Sequence, residues 1–210
     1  MTDIINLILV IIATLLICRF ANWFLRRLSL IIKLNKLKGM CDARITYQRF
    51  PFLPTRFASE KADIIVEILD TVYLIRLYSG GGATKFVHFA SPKYSVRYSR
   101  IKTGRFVING RIRSRFITFA DSAFNVGTKV IIMPEFPIPD NDDRLYGRRV
   151  ERILLFNPAP HEVSFVTEQK TSIRTAFEGD EMYGVKVFTG SSFIAYADRE
   201  TRKNDAMRYF

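Results

Sequence analysis

The feature that most constrains this chain is an uncharged run close to its N-terminus. From Ile4 to Cys18 no residue carries a charge, and Asn6 and Thr14 are the only polar interruptions. Extended to Leu25, the run has 22 residues. As a helix rising about 1.5 Å per residue it would measure roughly 33 Å, which is enough to cross a hydrocarbon core about 30 Å thick. The sequence therefore predicts one transmembrane helix at the N-terminus.

The predicted anchor is apolar and has an aromatic residue near its end. Ile4–Cys18 alone would span only about 22 Å, so Arg19 is expected near an interface, where its side chain can reach water. Trp23 stands where an interfacial aromatic anchor is typical. A cleaved signal peptide and a buried core helix are the alternatives, but the first three residues lack the Lys or Arg of a signal peptide. The residues expected to hold the anchor are Ile4, Leu7, Ile8, Ile11, Leu15, Cys18 and Trp23.

Basic residues follow the apolar run and predict its orientation. Residues 1–40 contain six Lys and Arg and one acid, Asp3. Because Lys and Arg are retained preferentially on the cytoplasmic side, we expect a single-pass protein of the cell membrane with its N-terminus outside and its remaining residues in the cytoplasm. Two lone cysteines fit that reducing compartment. The juxtamembrane basic residues are Arg19, Arg26, Arg27, Lys33, Lys36 and Lys38.

The segment that follows the anchor has a polar stripe of helical spacing. Residues 19, 22, 26, 29, 33 and 36 are all polar and would lie on one face of a helix. Such a helix can lie along an anionic membrane surface or pack on the next domain, and both interpretations stay open. Gly39 is a suitable end for it. Residues 1–40 are therefore interpreted as a transmembrane helix with a basic amphipathic extension.

The remaining sequence is rich in strand-forming residues. Residues 41–210 contain 25 of the 28 aromatic residues. We predict a mainly β cytoplasmic domain over 41–198, a sandwich or a barrel with one or two short helices at most, and a charged tail over 199–210. Asn109-Gly110 and Thr189–Ser192 predict hairpin turns. The predicted strands are 43–49, 64–69, 72–78, 85–90, 94–101, 105–108, 111–119, 129–133, 152–156, 163–167, 173–177, 185–188 and 193–197.

The basic charge is concentrated in one stretch. Of the formal net charge of +12, residues 71–120 contribute +10, because this window holds ten Lys and Arg and no acid. Alternate arginines on a strand share one face. The inner membrane leaflet, an acidic protein segment and a nucleic acid are the candidate partners of such a face, beside a face that is simply solvated. The residues of the predicted anionic-partner face are Arg97, Arg100, Lys102, Arg105, Arg111, Arg113 and Arg115.

We find no sequence motif for catalysis, metal binding or cofactor binding. Ser79–Lys85 lacks the spacing of a phosphate-binding loop, and Asp140–Asp143 lacks the Gly and Glu of a calcium loop. Asp63 and the strand 72–78 have the outline of a metal-dependent nuclease core, but that strand carries no acid. We therefore predict a non-enzymatic, membrane-anchored binding or scaffold module without cofactor or small-molecule substrate. The alternatives are a membrane-tethered nucleic-acid binder that uses the sheet face 93–115 and a degenerate nuclease.

Overall fold

The computed structural model describes residues 2–48, 62–79, 81–92, 94–99, 107–108, 111–112, 129–132, 145–167 and 172–208. Two helices lie within these ranges, α1 (Thr2–Cys41) and α2 (Gly190–Arg208). The strands are β1 (Arg44–Tyr47), β2 (Ile64–Ile68), β3 (Thr71–Tyr78), β4 (Gly82–Ser91), β5 (Tyr94–Ser99), β6 (Val107–Ile108), β7 (Arg111–Ile112), β8 (Lys129–Ile132), β9 (Arg149–Phe156), β10 (Pro160–Val166), β11 (Ile173–Ala176), β12 (Glu181–Met182) and β13 (Val185–Thr189).

The strands form two mixed sheets and one hairpin. The first sheet has the order β1-β2-β3-β9-β13-β12, and the second has the order β11-β10-β4-β5-β8. β3, β9 and β13 run parallel to one another, and β4 runs parallel to β10. The other neighbours are antiparallel. In the β6–β7 hairpin Ile108 pairs with Arg111, in the register that the sequence predicts, while residues 109–110 lie outside the described residues.

The first sheet is covered on both faces. Leu30, Leu34 and Leu37 of α1 pack on one face, together with Phe193 and Ala197 of α2. Because side chains alternate along a strand, Tyr78, Leu154 and Phe156 lie on the opposite face, where they pack against β4 and β10 of the second sheet. Helices, first sheet and second sheet thus form three layers. All eight residues of β3 are buried, as is typical of a strand enclosed on both faces.

The structure has a long apolar N-terminal helix and a β-rich domain, as predicted, with sheets of open strand order rather than a barrel. α1 runs two residues past Gly39 and ends at Cys41, because Asp42 takes the left-handed conformation (φ 50°) that terminates many helices. The part of α1 that carries Leu30, Leu34, Leu37 and Cys41 packs on the domain, as in one of the two interpretations that its pattern left open.

The predictions of a turn at Thr189–Ser192 and a strand at 193–197 are wrong, because α2 begins at Gly190. The Oγ of Ser192 accepts a hydrogen bond from the backbone nitrogen of Thr189 at 2.9 Å, and the Oγ1 of Thr189 accepts one from the nitrogen of Ser192 at 3.4 Å. This reciprocal pair has the form of a capping box, which favours a helix start over a hairpin turn. The second helix is therefore 19 residues long and includes most of the predicted tail.

Candidate functional site

α1 meets the domain at the edge where the parallel strands β3, β9 and β13 end. Asn157 follows β9, and its Nδ2 donates to the backbone oxygen of Arg26 at 3.1 Å. The Nζ of Lys33 donates to the Oγ of Ser191, at the start of α2, at 2.9 Å. These bonds fix the helix to the ends of the strands. We call this edge the junction edge and define it as Ser79, 157–159 and 189–191.

Arg27 is buried at the junction edge, with only 5% of its surface exposed. Its Nη2 donates to the Oγ of Ser79 at 2.8 Å, and its guanidinium lies 5.6 Å from the centroid of the Trp23 ring. Asp63 is close enough to interact with it electrostatically. Arg27 therefore differs from the other juxtamembrane basic residues that the sequence singles out, because it joins α1 to the first sheet instead of facing solvent.

The other α1 residues that the sequence singles out are mostly exposed. The anchor residues Ile4, Leu7, Ile8, Ile11, Leu15 and Cys18 are exposed, and Trp23 is partly buried. Arg19, Arg26, Lys36 and Lys38 are exposed, and Lys33 is half-buried. By length and composition α1 is able to cross a membrane, and none of its most apolar stretch is covered by the domain.

A pocket of about 360 Å³ opens at the junction edge. Its apolar lining includes Leu30 and Phe156. Its polar lining includes one cation, Lys33, and one carboxylate, Glu178, together with the hydroxyls and amide of Ser29, Ser191 and Asn157. Ser29, Glu178 and Ser191 are all exposed, so the pocket is open to solvent. The spacing in the sequence links Ser29 and Lys33 but gives no sign of Glu178 or Asn157, which other strands bring in.

Most of the predicted anionic-partner face lies outside the described residues, namely Arg100, Lys102, Arg105, Arg113 and Arg115. Arg97 is placed on β5, opposite Val87 on one side and Lys129 on the other, and Arg111 begins β7. The chain leaves the second sheet after Ser99 and returns at Lys129, and these two positions lie at the same end of neighbouring strands.

A second polar cluster fastens α2 to the first sheet. The Oε2 of Glu151 accepts hydrogen bonds from Lys186 (3.0 Å) and from the hydroxyl of Tyr196 (2.9 Å), and Lys186 also donates to that hydroxyl at 2.6 Å. Burial raises the pKa of Tyr196. Burial alone would lower the pKa of Lys186, but its bonds to Tyr196 and Glu151 raise it. The three side chains thus join α2, through Tyr196, to β9 and β13 of the first sheet.

A histidine and a serine meet in the second sheet. The Nδ1 of His88 on β4 lies 3.0 Å from the Oγ of Ser164 on β10, its register partner in the parallel pair. Burial lowers the pKa of His88 below its ordinary value. No local sequence pattern links His88 to Ser164, because the two are 76 positions apart and only the sheet register brings them together.

Asp63, on which the nuclease alternative rests, and Glu67 of the adjoining strand β2 both have partners within the protein. The Oδ2 of Asp63 accepts a hydrogen bond from the backbone nitrogen of Leu77 at 2.8 Å. The Oε2 of Glu67 lies 2.8 Å from the Nη1 of Arg148. Within the described ranges no three His, Cys, Asp or Glu side chains are grouped as metal ligands would be.

Comparison with known proteins adds no relative. The chain matches no family model, no curated protein and no solved structure. The junction edge and the helix that leads into it are therefore the features from which we infer a function.

Proposed function

We propose that this chain is a single-pass membrane protein whose β-rich domain is a binding module held at the cytoplasmic surface. The observation that carries the proposal is the division of α1. Its large apolar side chains are exposed from Ile4 to Phe20 and again at Leu25, with Trp23 and Phe24 partly buried, whereas Arg27, Leu30, Leu34 and Leu37 are buried in the domain. A soluble protein rarely leaves so large an apolar surface uncovered, and a bilayer would cover it.

The proposed orientation rests on charge. Arg19, Arg26, Lys36 and Lys38 remain exposed on the domain side of the apolar segment, where retention of Lys and Arg in the cytoplasm sets topology. Arg27, although buried, carries the same charge during insertion. We infer that the N-terminus lies outside and the domain inside.

The proposed partner is an anionic surface, first of all the inner leaflet. The chain leaves β5 after Ser99, which pairs with Lys85. Lys85 is three residues from Gly82, whose nitrogen bonds to Ala159 of the junction edge. At about 3.3 Å per residue, Ser99, after which the arginine-rich stretch of the sequence begins, therefore lies within about 10 Å, measured along β4, of the junction edge. Each Lys or Arg near an anionic leaflet contributes about 1 kcal/mol.

Protease protection tests the proposal. In intact cells expressing the full chain with a tag at each end, we expect external protease to remove the N-terminal tag and leave the C-terminal tag. Lysed cells, in which both tags are cut, are the control. Alkaline extraction should leave the chain in the membrane pellet. Loss of the C-terminal tag in intact cells would overturn the orientation, and release by alkali would overturn the anchor.

A further inference from the structure

The junction-edge pocket lies at a level that a lipid headgroup occupies, provided that the proposed membrane anchor is correct. Ser29 and Lys33 follow Leu25, the last exposed large apolar residue before the domain, by four and eight positions. At about 1.5 Å per residue these positions are about 6 and 12 Å further along the helix. The headgroup layer of one leaflet is roughly 5–8 Å thick. Because helical side chains tilt toward the N-terminus, the ammonium of Lys33 reaches back toward that layer.

The polar groups of the pocket carry both signs of charge. Lys33 supplies a cation and Glu178 supplies a carboxylate, on different elements of the fold. The ammonium of Lys33 has three donors, of which one is used by Ser191, so further donors remain for a ligand. A purely anionic ligand would be repelled by Glu178, and a purely cationic one by Lys33. The pair instead suits a ligand with a phosphate at one end and an ammonium at the other.

The size of the pocket fits a small headgroup. Its volume of about 360 Å³ is near the lower end of the range of ligand pockets, about 300–1,000 Å³. Leu30 and Phe156 provide apolar surface beside the polar groups. The hydroxyl of Ser29 and the amide of Asn157 can hydrogen-bond to phosphate or glycerol oxygens.

We propose that this pocket binds the headgroup of a zwitterionic aminophospholipid, with the lipid phosphate at Lys33 and the primary ammonium at Glu178. A primary ammonium has three N–H donors for the carboxylate, whereas the trimethylammonium of a choline headgroup has none. The pocket should therefore distinguish phosphatidylethanolamine from phosphatidylcholine.

The test measures lipid binding by the full chain, purified in detergent. The protein is titrated with phosphatidylethanolamine, phosphatidylcholine or phosphatidylglycerol, and native mass spectrometry detects the bound lipid. We expect phosphatidylethanolamine to bind about tenfold more tightly than either of the others, which corresponds to about 1.4 kcal/mol. Lys33→Gln should weaken its binding about tenfold, and Glu178→Gln should remove the preference over phosphatidylcholine. Lys36→Gln is the matched control, since Lys36 is exposed on the same helix outside the pocket, and should change nothing.

Four results would overturn the proposal. Tighter binding of phosphatidylglycerol would mean that the site is anionic-lipid specific. An unchanged preference in Glu178→Gln would remove the ammonium site. Equal effects of the Lys33 and Lys36 substitutions would indicate general charge attraction. Displacement of the lipid by millimolar inorganic phosphate would indicate a soluble phosphate ligand. Because this assay is done in detergent, its failure leaves the anchor standing, whereas release by alkali in the preceding experiment removes the anchor whatever the lipid preference.

Discussion

Replacing Arg27 by Met tests whether the anchor helix and the domain form one rigid unit. Met has an unbranched side chain, as Arg has, but it carries no charge. It breaks the 2.8 Å bond to Ser79 and the contact with Trp23, and it takes away the cation facing Asp63. Arg26→Met is the matched control, because Arg26 is the adjacent residue, carries the same charge and is exposed.

The expected loss follows from these contacts. A hydrogen bond to a charged group contributes about 1.5–3 kcal/mol, and a cation–π contact about 0.5–1 kcal/mol. Asp63 keeps its bond from the backbone of Leu77, so its own cost is limited. We expect Arg27→Met to lower the free energy of unfolding by about 3 kcal/mol, and Arg26→Met by less than about 0.5 kcal/mol.

Urea unfolding of the full chain in detergent, followed by pulse proteolysis of the domain, measures the difference. With a slope of about 2 kcal/mol per molar urea, the midpoint of Arg27→Met should fall by about 1.5 M. A double-mutant cycle with Ser79→Ala should give a coupling energy of about 0.5–3 kcal/mol. Equal midpoints for the Arg26 and Arg27 variants would refute the reasoning, since burial of the guanidinium would then add nothing to stability.

Three further predictions concern the domain itself. Burial lowers the pKa of His88, so below about pH 6.5 the unfolded chain binds a proton that the folded protein does not. The free energy of unfolding should therefore fall as the pH decreases, by about 1.4 kcal/mol per unit of difference between the folded and unfolded pKa. His88→Gln should flatten this slope between pH 7.5 and 5.5 in thermal melts, whereas the exposed His161→Gln should preserve it. A Cβ on Gly81 would lie 1.8 Å from the backbone oxygen of Pro158, so Gly81→Ala should lower the free energy of unfolding in urea by about 1–3 kcal/mol. Gly39→Ala is the control and should not lower it, because nothing lies within 4 Å of a Cβ at that position. The triple substitution Arg111→Glu, Arg113→Glu and Arg115→Glu should weaken the low-salt binding of the chain to beads coated with anionic lipid by at least about 100-fold, at about 1 kcal/mol per charge. If RNA abolishes the binding of the wild-type chain to these beads, the nucleic-acid alternative is favoured instead.

The strands were predictable where the pattern is local. β3 and the second half of β9, Ile153–Phe156, are nearly continuous apolar runs because both of their faces are covered, and the dipeptide Asn109-Gly110 predicts the β6–β7 hairpin from local sequence alone. The start of α2 was missed because Thr189–Ser192 has the small polar residues of a turn, and only the reciprocal Thr189–Ser192 bonds identify it as a helix cap.

The site was less predictable, because tertiary contacts decide it. In sequence Arg27 is one of several basic residues after an apolar run, and its burial depends on Ser79 and Asp63 at the ends of two other strands. Glu178 and Asn157 join Lys33 only because the β11–β12 connection, the end of β9 and α1 meet at one edge. The partner of His88 likewise follows from the register of β4 and β10, which no local pattern encodes.

α1 passes from its exposed apolar segment into the domain without a break, and this continuity affects how the domain would meet a partner in the membrane. The helix is continuous from Leu25 to Arg27, so in the proposed membrane orientation a tilt of the helix would tilt both sheets through the same angle. Part of the orientational entropy that association normally costs would already have been lost on insertion. Bilayer thickness influences helix tilt. In the proposed orientation, the thickness of the membrane would therefore determine which face of the domain a neighbouring membrane protein contacts.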